Sequence, residues 1–191
     1  MLYLIGGASR AGKGVLAERL LQEHRIPRFS LDYFTSAFRE RPDLGIRHED
    51  PTEGRAKALW PFVKPMLRNI AEEEPHYCVD GAVLLPDMVA EIMAEYPGEI
   101  RACFMGYPSI SPERKRAEIR EHGNTINNWL REASDEEVLK LVRDMIISSQ
   151  SLHADCERLG LSFFDISRDF DAVIDQALTS MVGGDRLPNQ P

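Results

Sequence analysis

A short apolar run, Leu2-Tyr3-Leu4-Ile5, passes into the glycine-rich segment Gly6-Gly7-Ala8-Ser9-Arg10-Ala11-Gly12-Lys13-Gly14, after which Val15, Leu16, Ala17, Leu20 and Leu21 follow. No other feature of this chain restricts its fold as strongly. The apolar run ending in two glycines reads as a buried strand. Leu16, Ala17, Leu20 and Leu21 recur at helical spacing and predict a helix from about Lys13 to His24. Glycines placed Gly7-x-x-x-x-Gly12-Lys13 let the intervening amides turn inward as an anion nest at a helix N-terminus. The lysine ammonium then reaches toward the outer phosphates of a nucleotide. The usual pattern closes with Ser or Thr after the lysine, whose hydroxyl touches Mg²⁺. Here Gly14 and Val15 stand at that end.

Downstream, Arg28-Phe29-Ser30-Leu31 is predicted as a second strand delivering Asp32 at its end. A helix continues through Phe34 and Phe38 to Arg41, where Pro42 interrupts it. Asp50 as cap, Pro51 at the first helical position and Glu53 three residues after the cap open another helix. Pro61 and Pro65 should kink or divide it, since each lacks an amide donor. His76-Tyr77-Cys78-Val79 is a third strand ending in Asp80-Gly81, and Pro86 to Tyr96 is a helix stopped by Pro97-Gly98. Ile100 to Met105 is the fourth strand. Ser111-Pro112-Glu113 opens a helix rich in Arg and Lys as far as His122.

Ser134 and Glu137 form a capping box that starts a long helix ended by Gly160. Leu161-Ser162-Phe163-Phe164 is the fifth strand, and a last helix runs from about Asp169 to Val182. With no repeat or linker in between, residues 1–182 read as a single domain and 183–191 as a disordered tail.

Buried strands alternating with helices mean an α/β fold with a parallel sheet covered on both faces and right-handed crossovers. Ligands of such sheets bind beyond the carboxyl ends of the strands. The glycine loop, Asp32 and Asp80 all fall at those ends.

A formal charge of −8 argues against nonspecific nucleic-acid binding, so any basic function must come from local clusters. No apolar stretch approaches the ~20 residues that span a membrane, and the apolar start is too short for a signal peptide. Cys78, Cys103 and Cys156 are sparse and far apart, which fits buried thiols in a reducing compartment. The expectation is a cytoplasmic protein with no nucleic-acid or membrane partner.

The segment Gly7-Ala8-Ser9-Arg10-Ala11-Gly12-Lys13-Gly14 is similar to the loops of adenylate and cytidylate kinases, which also place Gly after the lysine. In this and in the order of its motifs the chain resembles the P-loop kinases of nucleoside monophosphates and small metabolites. The resemblance implies a P-loop NTPase three-layer sandwich: a five-stranded parallel sheet of order 2-3-1-4-5, helices on both faces, and a helical lid at about residues 108–133. It implies ATP and Mg²⁺ as cofactors, a nucleotide and a small-molecule acceptor as partners, and a monomer or homodimer. Residues Gly7 to Val15 would hold the nucleotide. Those kinases carry Thr where Val15 stands, which moves attention for the metal to Ser9, Asp32 and Asp80, mostly through water, because Mg²⁺ readily keeps its waters. Arg10 either sits above the phosphates or points to solvent.

An apolar strand ending in a carboxylate, as at Asp80, is the arrangement that anchors Mg²⁺ water ligands. Hydrolytic P-loop ATPases often follow that Asp with a water-activating Glu; Gly81 follows here. No Asn-Lys-x-Asp guanine motif occurs either. Both absences favour transfer over hydrolysis. In the resembling kinases an Asp after strand two lies near the acceptor hydroxyl, where it orients that group and takes its proton late in transfer. Asp32 holds that place, with capping of the next helix as the competing use. Arg39, two helical turns later, and Gly81 would border the acceptor.

Arg114, Arg116 and Arg120 fall where these kinases have lid arginines that close on the phosphates; the competing reading is a solvated face paired with Glu113, Glu118 and Glu121. Ser167 and Asp169, after strand five, fall where the adenine is contacted, and both are also candidate helix caps. The segment Asp80-Gly81-Ala82-Val83 lacks the Pro-Arg of adenylate kinases at that point. Together with Ser30-Leu31-Asp32-Tyr33 and Gly106-Tyr107 it looks more like the 2-phosphoglycerate kinase group. The expected activity is an ATP-dependent kinase transferring the γ-phosphoryl group to a small anionic metabolite. A nucleoside monophosphate kinase and a non-catalytic nucleotide-binding sensor are the alternatives.

Overall fold

A computed structural model describes residues 1–39, 52–121 and 133–183. Its strands are β1 (Leu2–Gly7), β2 (Arg28–Ser30), β3 (Tyr77–Asp80), β4 (Ile100–Gly106) and β5 (Ser162–Asp165). They form one parallel sheet of order β2-β3-β1-β4-β5, the order the resemblance implies. The helices are α1 (Lys13–His24), α2 (Leu31–Arg39), α3 (Thr52–Glu73), α4 (Pro86–Glu95), α5 (Pro112–Glu121), α6 (Asp135–Leu159) and α7 (Phe170–Val182).

Alternation along the central strand decides the layers. Tyr3 and Ile5 point into a core with Leu16 and Leu20 of α1, Val138 and Val142 of α6, and Ile174 and Leu178 of α7. Leu2 and Leu4 point the other way, against Leu59, Val63 and Leu67 of α3 and Val89 and Ile92 of α4. Each such side chain stabilises the fold by about 1.5–3 kcal/mol when fully buried. Helix α6 passes from one layer to the other, contributing Val142 to the first and Cys156 to the second. All three cysteines are buried and unpaired, and burial pushes the thiols of Cys103 and Cys156 up to about 12, so they stay protonated and inert.

The capping box at the head of α6 is present: Ser134 Oγ accepts from the Glu137 amide at 3.3 Å, and Glu137 accepts from the Ser134 amide at 2.7 Å. Gly160 closes that helix in the left-handed region, φ 67°.

Two local expectations change. Helix α3 is not divided: it is one helix with both Pro61 and Pro65 inside it. The prolines stand one turn apart on the exposed side, while Ala56, Leu59, Val63 and Leu67 pin the opposite side into the core. Packing of that buried face holds the helix together, and the missing donors fall where water reaches the backbone. Leu31, expected as the last residue of β2, is instead the first of α2, because Ser30 Oγ accepts from the Asp32 amide at 3.4 Å and ends the strand. The expected helix starts at Asp50 and Pro51, the stretch Arg41-Pro42, His122 and the tail from residue 184 onward lie outside the described residues.

Candidate functional site

Strand β1 ends at Gly7, whose φ of 133° only glycine adopts without strain. A Cβ there would lie 2.2 Å from the Met105 carbonyl oxygen of β4. Gly7→Ala is therefore expected to cost about 3 kcal/mol of stability, through strain and forced separation of β1 from β4. A chemical denaturation curve measures it. The chain then turns through Arg10, φ 57°, and Gly12, φ 86°, before α1 begins at Lys13. Alternating conformations of this kind gather successive amides on one side as an anion nest.

Lys13 is 8% exposed, and its Nζ donates to the carbonyls of Gly7 (3.1 Å) and Ala8 (2.8 Å). Burial lowers its pKa, and the charges of Asp32 and Asp80 partly offset that. The ammonium is thus tethered across the loop with two carboxylates in electrostatic reach. Gly14, next along, is exposed and a Cβ would meet nothing within 4 Å. Arg28 Nη1 donates to its carbonyl at 3.0 Å, joining β2 to the first turn of α1.

Asp80 closes β3 and is 4% exposed. Its Oδ2 accepts from Ser30 Oγ at 3.2 Å, while Oδ1 is buried without a hydrogen-bond partner among the described residues. Burial raises its carboxyl above the usual range, against the opposing pull of Ser30, Arg28 and Lys13. Ser30 therefore serves two ends at once, donating to Asp80 and accepting from the amide of Asp32. Sequence reasoning missed it, since a Ser at a strand end carries no distinguishing signal. Asp32 itself is exposed in the first turn of α2. Gly81 permits α2 to approach: a Cβ there would sit 2.7 Å from the Leu31 Cβ. Arg39 is the last residue of α2.

No group of three or more His, Cys, Asp or Glu side chains gathers among the described residues. Mg²⁺ suits such a site, because it keeps several waters and takes one or two carboxylates plus substrate phosphates. The unpartnered Asp80 Oδ1 fits a metal-bound water.

A buried carboxyl raised in the folded state makes folding more favourable as pH falls through its folded value, and its charge is a full penalty above it. Asp80→Asn is thus expected to stabilise the protein at neutral pH by ~1 kcal/mol and to flatten the acid side of its stability profile. Any Mg²⁺-dependent turnover should fall about 10- to 100-fold. Thermal melts across pH and a magnesium titration measure the two effects.

The basic helix α5 distributes its charges unequally. Arg114 Nη2 donates to the Arg168 carbonyl at 3.2 Å, and its Nε pairs with Glu118 at 3.2 Å. Arg116 and Arg120 both pair with Asp135 of α6, and Arg120 also donates to the Ala133 carbonyl at 2.6 Å. Lys115 alone among them is buried against the loop, donating to the Arg10 carbonyl at 3.2 Å. After β5, Ser167 is 2% exposed; its amide and hydroxyl donate to Asp165, and its Oγ accepts from the Ser109 amide at 3.1 Å. Asp169 caps α7, accepting from the Ala172 amide at 3.0 Å. Ser9 is exposed, and its carbonyl accepts from the Tyr107 hydroxyl at 2.6 Å. A separate cleft of about 260 Å³ lies beneath Phe29 and Tyr77, toward the start of β3 and away from this site.

The sheet order, the loop between β1 and α1 and the helices on both faces make a three-layer α/β fold of the P-loop kinase-like type. Among solved structures, the chain is similar to a shikimate kinase from Bacteroides thetaiotaomicron at 17% identity and TM-score 0.55, over 93% of this chain and 96% of the other. It is similar to a gluconokinase from Sinorhizobium meliloti at 15% identity and TM-score 0.55, over 94% and 90%. A sugar kinase from a Janibacter species matches at 16% identity and TM-score 0.57, over 99% and 98%. The chain matches no protein-family model and no curated protein sequence.

Proposed function

We propose that this protein is an ATP- and Mg²⁺-dependent kinase that transfers the γ-phosphoryl group to a small, anionic metabolite. The observation that carries this reading is the buried Lys13 ammonium, tethered to the Gly7 and Ala8 carbonyls with the Asp32 and Asp80 charges in reach. The fold's occurrence in proteins named shikimate kinase, gluconokinase and sugar kinase supports a small-molecule kinase in general.

In this reading the loop from Gly7 to Val15 would cradle the phosphates through amides other than those of Ala8 and Ala11, which donate to the Met105 and Ala8 carbonyls, and Lys13 would neutralise charge on the outer phosphates. Asp80 would hold Mg²⁺ through water, with Ser9 and Asp32 as further contributors. When bound, Mg²⁺ would supply positive charge against the charge that develops on the phosphates during transfer. Asp32 orients the acceptor hydroxyl. As the acceptor oxygen bonds to the γ-phosphorus and the bond to the β-phosphate oxygen breaks, Asp32 receives the hydroxyl proton. Arg39 and Gly81 border the acceptor. Arg114 and the backbone around Ser167 and Asp169 flank the base. Arg116 and Arg120, which pair with Asp135, would exchange it for phosphate in the lid role the resemblance implies; residues 122–132 of that expected lid lie outside the described residues. Residues 1–182 form one kinase domain.

A non-catalytic nucleotide sensor is the second reading, favoured by Gly14, which leaves open space where a metal-binding hydroxyl commonly stands. One experiment separates the two: ADP release from ATP, with and without Mg²⁺, over a panel of phospho-acids, sugar acids, sugars, nucleosides and nucleotides. The kinase reading expects Mg²⁺-dependent, acceptor-dependent release with an anionic member of the panel. ATP binding without turnover of any acceptor would favour the sensor.

A further inference from the structure

Lys115 stands in a run of basic residues, yet it is only 4% exposed. Its Nζ donates to the Arg10 carbonyl at 3.2 Å, pairs with Glu118 at 3.3 Å and lies 4.3 Å from the centre of the Tyr107 ring. Tyr107 is fully buried, and its hydroxyl donates to the Ser9 carbonyl at 2.6 Å. Burial raises the Tyr107 pKa, which keeps that hydroxyl a donor. Two consecutive carbonyls of the glycine loop are therefore held from the same side, by two side chains that also touch each other.

The geometry matters because a trans peptide carries its N–H opposite its C=O. Holding the Ser9 oxygen sets the direction of the Arg10 amide, and holding the Arg10 oxygen sets that of the Ala11 amide. The Ala11 amide accordingly closes the loop onto the Ala8 carbonyl at 3.3 Å. Between them Arg10 keeps a left-handed conformation, φ 57°, which a non-glycine residue retains only when its surroundings enforce it. These contacts supply that enforcement. The further support comes from Ser149 of α6, whose Oγ accepts from the Tyr107 amide at 2.7 Å.

We propose that Lys115 and Tyr107 are positioning residues: they brace the glycine loop from behind in its anion-binding conformation and make the base of helix α5 move with it. This inference rests on the phosphate-site reading of the loop. It assigns to the basic helix two separable tasks, with Lys115 setting the shape of the loop and the neighbouring arginines left for ligand or for Asp135.

The test compares Lys115→Met and Tyr107→Phe with wild type in binding ATP and inorganic tripolyphosphate, which has no base. Ile92→Ala, a core substitution of α4 in the hydrophobic layer that contains neither Tyr107 nor the loop residue Ala11, serves as a control for general destabilisation. Each brace variant is expected to weaken both ligands equally, by about five- to tenfold, and to speed amide exchange at residues 8–12. The double variant should lose less than the product of the two, because both act on one loop. Ile92→Ala should melt earlier yet bind both ligands like wild type. If Lys115→Met does not fold, Tyr107→Phe, which removes a single oxygen, carries the comparison. Variants that bind tripolyphosphate within twofold of wild type overturn the brace, as does a loss confined to ATP. Wild-type protein that binds neither ligand instead overturns the phosphate-site reading itself.

Discussion

Lys13→Met is expected to reduce phosphoryl transfer by about 10³-fold, the scale of losing one buried cation aimed at transition-state charge. Methionine nearly matches the volume of the lysine stem, so the loop should keep its packing. Two changes in stability oppose one another. Removing a buried ammonium, whose pKa burial already depresses, relieves a desolvation penalty. The Gly7 and Ala8 carbonyls lose a donor, which costs a comparable amount. The melting temperature should therefore stay within about 4 °C of wild type, roughly the shift produced by 1 kcal/mol in a chain of this size. Steady-state ADP release together with a thermal melt checks both parts. A variant that keeps full turnover would remove Lys13 from the chemistry, whatever it does to stability.

The second large effect is expected at Asp32. Asp32→Ala should lower acceptor-dependent turnover by about 10²-fold or more, while ATP affinity and melting temperature remain those of wild type. The separation follows from its place. Asp32 is exposed in the first turn of α2, and the strand end behind it is tied by Ser30 and Asp80 rather than by its own carboxylate. Removing it should leave the loop, Lys13 and Asp80 in position and withdraw only the group that the kinase reading assigns to the acceptor. Unchanged turnover with an identified acceptor would exclude Asp32 as the residue that takes the hydroxyl proton. A loss that appears equally in ATP binding would show that it acts on the nucleotide instead.

Much of the architecture is legible in the chain because local chemistry and global fold agree. Leu2 to Ile5 are apolar on both faces, as a central parallel strand must be. Ser134 and Glu137 mark the head of α6, and Gly160 its end, through hydrogen bonds confined to a few neighbouring residues. What local reading misjudged was decided by packing at a distance. Helix α3 survives Pro61 and Pro65 because its other face is buried, a fact no window around the prolines contains. Leu31 starts a helix because Ser30 finds the Asp32 amide on one side and Asp80, fifty residues away in sequence, on the other.

The same division runs through the site. Glycine spacing, the lysine and the strand-end carboxylates are properties of sequence, since a loop between a buried strand and a helix has few other uses for them. Which side chain of the basic helix faces that loop is not. Arg114, Lys115, Arg116 and Arg120 are alike in composition and in helical spacing. Only the arrival of Tyr107 from β4 and of the loop carbonyls from β1 gives Lys115 a buried place, while Asp135 at the head of α6 draws Arg116 and Arg120 aside. The sequence by itself determined the strand-loop-helix unit, the strands around it and the carboxylates at their ends, because each depends on short-range periodicity and backbone preference. The tertiary structure decided which cation is buried and which carboxylate oxygen finds no partner among the described residues, because burial of a charge is settled by partners that distant segments bring to it.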